Sequence, residues 1–275
     1  MTAGSVRPIT GKRVFDEVRN RVQAAKALAF FLDFDGTLSP IRRFPSTATL
    51  PQVTAKLLGE LVRQPKVSLT IVTGRSLPDI RQRVRGLPLA LVANHGFHIV
   101  DRRGDEWTHP AARRAVGRLK SVTAQLTDAI TAYRGAFVEN KGLTASVHFR
   151  TVHPRKIRAL RSNVLAILRG YKSRFRVVTG NKVIEIRPAA TWGKGHAVLR
   201  LLHRTKPANG ALVIYVGDDM TDEDAFTSLR SRGITIRVGR TRKTAARFTV
   251  RSLSGVRQIL RLILISWKIR ASSLE

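Results

Sequence analysis

Phe31-Leu32-Asp33-Phe34-Asp35-Gly36-Thr37-Leu38 is an apolar run that ends in two carboxylates and a glycine turn. No charge interrupts Ala27 to Leu32, the pattern of a strand buried on both faces of a parallel sheet. Open α/β sheets place their ligand sites at the carboxyl ends of such strands. Alternation by two would put the Asp33 and Asp35 side chains on one side of the strand, where two carboxylates repel unless a cation sits between them. Hard oxygen donors in a chain with no cysteine suit Mg²⁺. Taken alone, an Asp-x-Asp pair is more often a turn or a helix cap.

The pair gains weight from scarcity. The chain has 18 acidic residues against 50 basic ones, a net charge of +32. Half of its acids fall in four short clusters: Asp33 with Asp35, then Glu139, then Glu185, then Asp218, Asp219, Asp222, Glu223 and Asp224. A chain that otherwise avoids negative charge keeps it where a cation can bind.

The rest of the sequence extends an alternating pattern. Residues 14–29 have helical spacing, Ala27–Leu32 reads as a strand, Val53–Arg63 as a helix and Val67–Val72 as a second strand. Leu77–Arg85 follows as a helix and Leu89–Ala93 as a third strand. Phe97–Val100 and Glu106–His109 read as a hairpin. Strands separated by helices predict a doubly wound parallel sheet, a Rossmann-like α/β core. The middle departs from that rhythm. A helix over 111–133, a hairpin around Asn140-Lys141-Gly142, a helix over Pro154–Arg169 and a hairpin around Thr179-Gly180-Asn181-Lys182 predict a small α+β domain. It is inserted at 110–187, leaving 1–109 and 188–275 as the core. After it come a helix over Gly195–Arg204, a strand over Leu212–Val216, a helix over Asp222–Leu229 and a final strand over Ile234–Val238. The helix over Leu253–Ile269 has an apolar face expected to pack on the core, with contact to a membrane surface as the alternative.

Three further motifs sit at predicted strand ends or helix starts. Thr73-Gly74-Arg75 closes the second strand, where the Thr73 hydroxyl and backbone N–H groups can cradle an anion or simply cap a helix. Gly193-Lys194-Gly195 opens a helix, and a lysine there can neutralise a phosphoryl group, although a lone lysine is more often a surface residue. Gly217-Asp218-Asp219 follows the apolar strand Val213-Ile214-Tyr215-Val216.

In this order and spacing, Asp33-Phe34-Asp35-Gly36-Thr37, Thr73, Lys194 and Gly217-Asp218-Asp219 resemble the four motifs of haloacid dehalogenase-like phosphatases. The resemblance implies a phosphoric monoester hydrolase. Asp33 would be the nucleophile, forming an aspartyl-phosphate, and Asp35 the general acid and base. Asp35 would also offer its backbone carbonyl to Mg²⁺. Thr73 and Lys194 would hold the phosphoryl oxygens, with Gly74 and Arg75 supporting the Thr73 turn. Asp218 would complete the metal site with Asp33 and Asp35, supported by Asp219 or Asp222. The runs Asn94-His95-Gly96, Val138-Glu139-Asn140-Lys141-Gly142, His148-Phe149-Arg150, Glu185-Ile186-Arg187-Pro188 and Gly217 to Asp224 resemble trehalose-6-phosphate phosphatases more closely. In that family the inserted domain is a cap that reads the sugar. The resemblance implies trehalose 6-phosphate as substrate, with Glu139, Lys141 and Glu185 bonding glucose hydroxyls and Arg150, His148, His95 and Asn94 lining the closed site. Cap and core would open and close about 108–111 and 187–193. Another sugar phosphate, such as mannosyl-3-phosphoglycerate or glucosylglycerol phosphate, is the nearest alternative.

The charge stands apart from this. A +32 chain attracts polyanions, but its arginines are dispersed along the sequence and not interleaved with aromatics, which reads as a solvated surface. A nucleic-acid-binding protein on the same scaffold is the competing reading, and the carboxylates of a catalytic pocket would oppose it. No apolar run reaches the roughly 20 residues of a membrane span, and a cytoplasmic location is expected.

Overall fold

The computed structural model describes residues 10–180, 182–206, 210–241 and 243–272. Among them the chain divides into two compact units, one formed by the residues through Glu106 and from Trp192 onward, the other by Trp107–Thr191.

The first unit begins with α1 (Lys12–Ala24), β1 (Ala27–Asp33), α2 (Gln52–Val62), β2 (Val67–Val72), α3 (Leu77–Arg83), β3 (Ala90–Ala93), β4 (His98–Val100) and the first residue of β5 (Glu106–Thr108). The second unit holds α4 (Pro110–Ala129), β6 (Phe137–Asn140), β7 (Ala145–His148), α5 (Pro154–Arg169), β8 (Phe175–Gly180) and β9 (Val183–Pro188). The first unit then resumes with α6 (Lys194–Thr205), β10 (Ala211–Gly217), α7 (Glu223–Leu229), β11 (Gly233–Val238), β12 (Phe248–Val250) and α8 (Leu253–Ser272).

The large sheet has the order β12-β11-β10-β1-β2-β3-β4-β5. Pairings from β12 through β3 are parallel and β3–β4 is antiparallel. Because β1 is central and covered on both faces, all seven of its residues are buried. The chain winds outward from β1 through β2 and β3 on one side and through β10, β11 and β12 on the other. β1 and β10 therefore flank a topological switch point, where such sheets open a crevice at the strand carboxyl ends.

Alternation along β1 and β10 sorts side chains between two layers. Leu28, Phe30 and Leu32 of β1, with Leu212, Ile214 and Val216 of β10, join one apolar cluster with Val14, Val18 and Val22 of α1 and Leu58 and Leu61 of α2. The opposite phase, Phe31 and Asp33 on β1 and Tyr215 on β10, faces the side taken by α6 and α7. Each strand thus delivers a polar side chain, Asp33 or Tyr215, to the layer away from the main cluster.

Most elements match the expected ones within a few residues, with three differences. A further strand, β12, follows the one expected to be last, and only three residues long it has too little alternation to read. Phe97 is not in the expected strand but follows a 3-10 turn over Asn94–Gly96. The expected helix 14–29 stops at Ala24, because Ala25 is extended and the chain enters β1. Val256, Leu260, Ile263 and Trp267 of α8 are buried in the core, which satisfies the face read as apolar. Among the described residues no helix is long and apolar enough to cross a membrane.

The second unit is a four-stranded antiparallel sheet, β6-β7-β9-β8, with α4 and α5 sharing its core. Leu119, Val122 and Leu126 of α4 and Leu160, Val164 and Leu168 of α5 pack with Val147, Ile184 and Ile186. Asn181, expected in the β8–β9 turn, lies outside the described residues.

Candidate active site

The end of β1 places Asp33, and the parallel register sets its neighbours. Leu32 is level with Val216 on β10 and Asp33 with Val72 on β2. The residues leaving the sheet beside Asp33 are therefore Gly217-Asp218 on one side and Thr73 on the other. Lys194, first residue of α6, donates from Nζ to Asp33 Oδ1 at 2.6 Å and to Asp222 Oδ1 at 2.8 Å. Asp222 also accepts from the Tyr215 hydroxyl at 2.6 Å and, through Oδ2, from the Asp219 peptide N–H at 3.0 Å. Ligand atoms of Asp33, Asp218 and Asp222 all lie within 4.8 Å of one another.

The expected cation site between the Asp33 and Asp35 carboxylates is not how the acids group. Strand alternation ends at Asp33, and Gly36 turns the chain at φ 85°. A methyl group at Gly36 would collide with the Asp218 carboxylate, so glycine lets Asp218 approach the turn. The Asp35 carboxylate meets Arg75 instead, accepting from Nε at 2.7 Å and from Nη2 at 2.6 Å. This two-pronged contact fixes its orientation. Arg75 is buried, stacks over the Phe34 ring at 5.4 Å and also pairs with Asp79 at 2.6 Å. Burial tends to raise the Asp79 pKa, but hydrogen bonds from Arg83 and Arg75 outweigh it and hold that pKa below its usual value.

Electrostatics give the cluster its character. Three carboxylates share one region with the single ammonium of Lys194. Burial pushes the Asp33 pKa well above the carboxylate range; Lys194 opposes this, while Asp222 and Asp218 reinforce it. Burial and then the Asp222 charge push Asp218 up to about 7. Burial would lower the Lys194 pKa, but Asp222 and Asp33 raise it, so it stays an ammonium. The surplus negative charge and all-oxygen donor set fit a hard divalent cation such as Mg²⁺. Both oxygens of Asp222 are already engaged by Lys194, Tyr215 and Asp219. Asp33 and Asp218 are the carboxylates left to hold a metal, and Asp222 anchors the lysine that meets Asp33.

Thr73 is buried, and its hydroxyl accepts from the Arg75 peptide N–H at 3.2 Å. Its loop is tied to the Asn94-His95 turn: Asn94 N–H donates to Arg75 O at 2.7 Å and His95 N–H to Thr73 O at 2.9 Å. Asn94 and His95 are both buried, with φ of 50° and 56°. Two consecutive non-glycine residues in the left-handed region are unusual, and such strain collects where geometry is functionally constrained. The His95 ring lies against Gly74, where any Cβ would strike it. Trp192 donates from Nε1 to Gly96 O at 2.8 Å, linking this turn to the start of α6.

Asp219 caps the short turn over Met220–Asp222, accepting from the Met220 N–H at 2.7 Å. Asp224 accepts from the Gly195 N–H at 3.1 Å and so holds the first turn of α6 that carries Lys194. The sequence presents Tyr215 only as part of an apolar strand and Asp224 only as part of an acidic run. The density of that run was the available signal for Asp224; nothing singles out Tyr215 before its register is known.

The second unit gathers its own set. Glu139, Ser146 and Glu185 are cross-strand neighbours on β6, β7 and β9. Their phase is opposite to that of Val138, Val147, Ile184 and Ile186, which join the unit's core. Glu139 contacts His148 Nε2 at 2.7 Å and Lys141 Nζ at 3.7 Å, and Glu185 accepts from Arg187 Nε at 3.0 Å. Arg150 is exposed just beyond β7.

A family model described as trehalose-phosphatase matches residues 31–254. A Mycobacterium tuberculosis protein described as an uncharacterised glycosyl hydrolase is 39% identical over 230 residues, 82% of this chain and 17% of that protein. A trehalose-phosphate phosphatase of the same species is 35% identical over 260 residues, 88% of this chain and 65% of the relative. The chain thus spans less than two thirds of the length of either relative. The C-terminal domain of a C. albicans trehalose-6-phosphate phosphatase shares the fold, with a TM-score of 0.79 at 23% identity over 95% of this chain and 99% of that one. A trehalose-6-phosphate phosphatase related protein superposes with a TM-score of 0.74 at 26% identity over 86% of this chain and 97% of that one. With four-fifths of its length under the family model, the chain belongs to the trehalose-phosphatase family.

Proposed function

We propose that the chain hydrolyses trehalose 6-phosphate to trehalose and inorganic phosphate. The observation that carries this reading is the buried Asp33 carboxylate, held against Lys194 at the switch point beside two further acids. An Asp33 oxygen attacks phosphorus, the ester P–O bond breaks, and the phosphoryl group rests on Asp33 as a mixed anhydride. Asp35, in the turn after β1, turns out of its two-pronged contact with Arg75 and, as the protonated carboxyl, gives a proton to the departing sugar alkoxide. It then takes a proton from the water that attacks the phosphorylated Asp33 and releases phosphate. Lys194 neutralises charge on the transferring oxygens, and the Thr73 hydroxyl and neighbouring peptide N–H groups donate to them. Mg²⁺, held by Asp33, Asp218 and the Asp35 backbone carbonyl, would supply positive charge that favours the ionised nucleophile. In the inserted unit, here read as a specificity cap, Glu139, Lys141 and Glu185 bond sugar hydroxyls, with Arg150 and His148 beside them. Asn94 and His95 hold the Thr73 loop in place.

A panel of phosphate monoesters, assayed with Mg²⁺ and with chelator, tests the reading. The highest kcat/KM is expected on trehalose 6-phosphate, with activity lost on chelation. Glu139→Ala should raise KM for trehalose 6-phosphate about tenfold or more, the scale of a lost charge-assisted hydrogen bond, while leaving p-nitrophenyl phosphate hydrolysis unchanged. A higher kcat/KM on mannosyl-3-phosphoglycerate or glucosylglycerol phosphate would replace the substrate but keep the chemistry.

A further inference from the structure

The net charge of +32 is unevenly shared. Residues 107–191 carry 17 Lys and Arg against 3 Asp and Glu, a net +14 from 85 positions, whereas the other 190 positions carry the remaining +18. Within the second unit no acid occurs between Glu139 and Glu185. Arg155, Lys156, Arg158, Arg161, Arg169, Lys172, Arg174, Arg176 and Lys182 are all exposed. Among the described residues none of these nine belongs to an ion pair.

Folding turns this dispersed charge into a stripe. Arg158, Arg161, Leu165 and Arg169 follow one another along α5 at three- and four-residue steps, so they stack on one side of the helix. Two shallow cavities of about 540 and 490 Å³ border the stripe and meet at Ser162 and Leu165. Lys182 lines the first and Lys172 the second, so cations from the β8–β9 hairpin and from the loop after α5 surround the same depression.

We propose that this face of α5 binds the phosphate backbone of double-stranded nucleic acid without regard to sequence. Six of the nine cations are arginines, whose forked guanidinium matches phosphate oxygens. The distance from Arg158 to Arg169 is about 16 Å at 1.5 Å per residue. Each strand of a duplex presents roughly one phosphate per 3.4 Å of axis, so the stripe spans on the order of five phosphates of the strand it lies along. A bilayer is the poorer match. Leu165, at 37% exposure, is the one large apolar side chain on the stripe, too little to wedge into lipid. The catalytic acids lie in the other unit, so this surface is separate from the proposed hydrolysis in both residues and chemistry.

The test is fluorescence anisotropy with a labelled DNA duplex of about two helical turns, titrated at several salt concentrations. The quadruple variant Arg158→Gln, Arg161→Gln, Arg169→Gln, Lys172→Gln is compared with Lys12→Gln, Arg13→Gln, Arg251→Gln, Arg261→Gln, which removes equal charge from exposed sites of the first unit. Circular dichroism verifies that both remain folded. The α5 set should weaken binding at least about tenfold and flatten the slope of log Kd against log salt by about 3.6, at roughly 0.9 for each of four lost phosphate contacts. The control set should change Kd less than about threefold. Equal losses from both sets, or undiminished binding by the α5 variant, would overturn the proposal. So would sedimentation of wild type with phosphatidylserine vesicles at salt that abolishes duplex binding.

Discussion

Asp222 accepts hydrogen bonds from Lys194, Tyr215 and the Asp219 peptide while fully buried, so it settles where the lysine ammonium stands. In Asp222→Asn an amide nitrogen would have to face either the Asp219 N–H or the donors on the other side, and Lys194 would lose one of two counter-charges. Relief of repulsion on Asp33 and Asp218 offsets part of that cost. The expected net loss is about 2 kcal/mol, read as a lowered urea midpoint of the metal-free protein. The raised pKa values of Asp33 and Asp218 carry a definite sign. A group whose folded pKa lies above its unfolded value adds stability below the unfolded pKa, and that stability is lost as pH rises through the folded one. The metal-free protein should therefore lose stability on going from about pH 4 toward pH 7, the value to which Asp218 is pushed. Mg²⁺ binds the ionised form, so the rise in Tm it produces should be larger at pH 8 than at pH 6. Calorimetric titration in two buffers at pH 6 should show proton release on binding. A Tm increment independent of pH would remove the acid cluster as the metal site.

Elements carry the residues to their places, and glycine decides one of the closest approaches. At Gly195 a Cβ would stand 2.7 Å from the Asp224 carbonyl oxygen and 2.8 Å from Ser228 Oγ. Gly195→Ala should push the first turn of α6 away from α7 and displace Lys194, destabilising by about 1–3 kcal/mol and lowering kcat more than it raises KM. A thermal melt and a steady-state assay check both parts. β1, β2, β10 and both hairpins were legible because continuous apolar runs and Gly- or Asn-containing turns are local signals. β12 and the Asn94–Gly96 turn were not, since one is three residues long and the other depends on backbone bonds to the Thr73 loop. Asp33, Thr73, Lys194 and Asp218 were readable from strand ends and order. The partnership of Asp35 with Arg75 was not, because it arises from a turn that strand alternation does not describe. The stripe on α5 was equally hidden: arginines three and four apart look scattered along a sequence and align only on a helix.

At the scale of the whole molecule, a parallel sheet with β1 at its switch point brings segments separated by more than 150 positions into one hydrogen-bonded cluster, as the Lys194–Asp33 contact records. The second unit folds around its own core and presents Glu139 and Glu185 on the opposite face of its sheet. Net charge concentrates in that unit, while the acids of the first concentrate at its strand ends. The hydrolysis proposed for this chain depends on Asp33 acting as the nucleophile. The direct measurement is kcat of Asp33→Asn on trehalose 6-phosphate at saturating Mg²⁺, with circular dichroism to verify the fold. Asparagine keeps the size of the side chain and removes the attacking charge, so the prediction is a fall of at least about ten-thousand-fold in a folded protein. Turnover within about tenfold of wild type would contradict it.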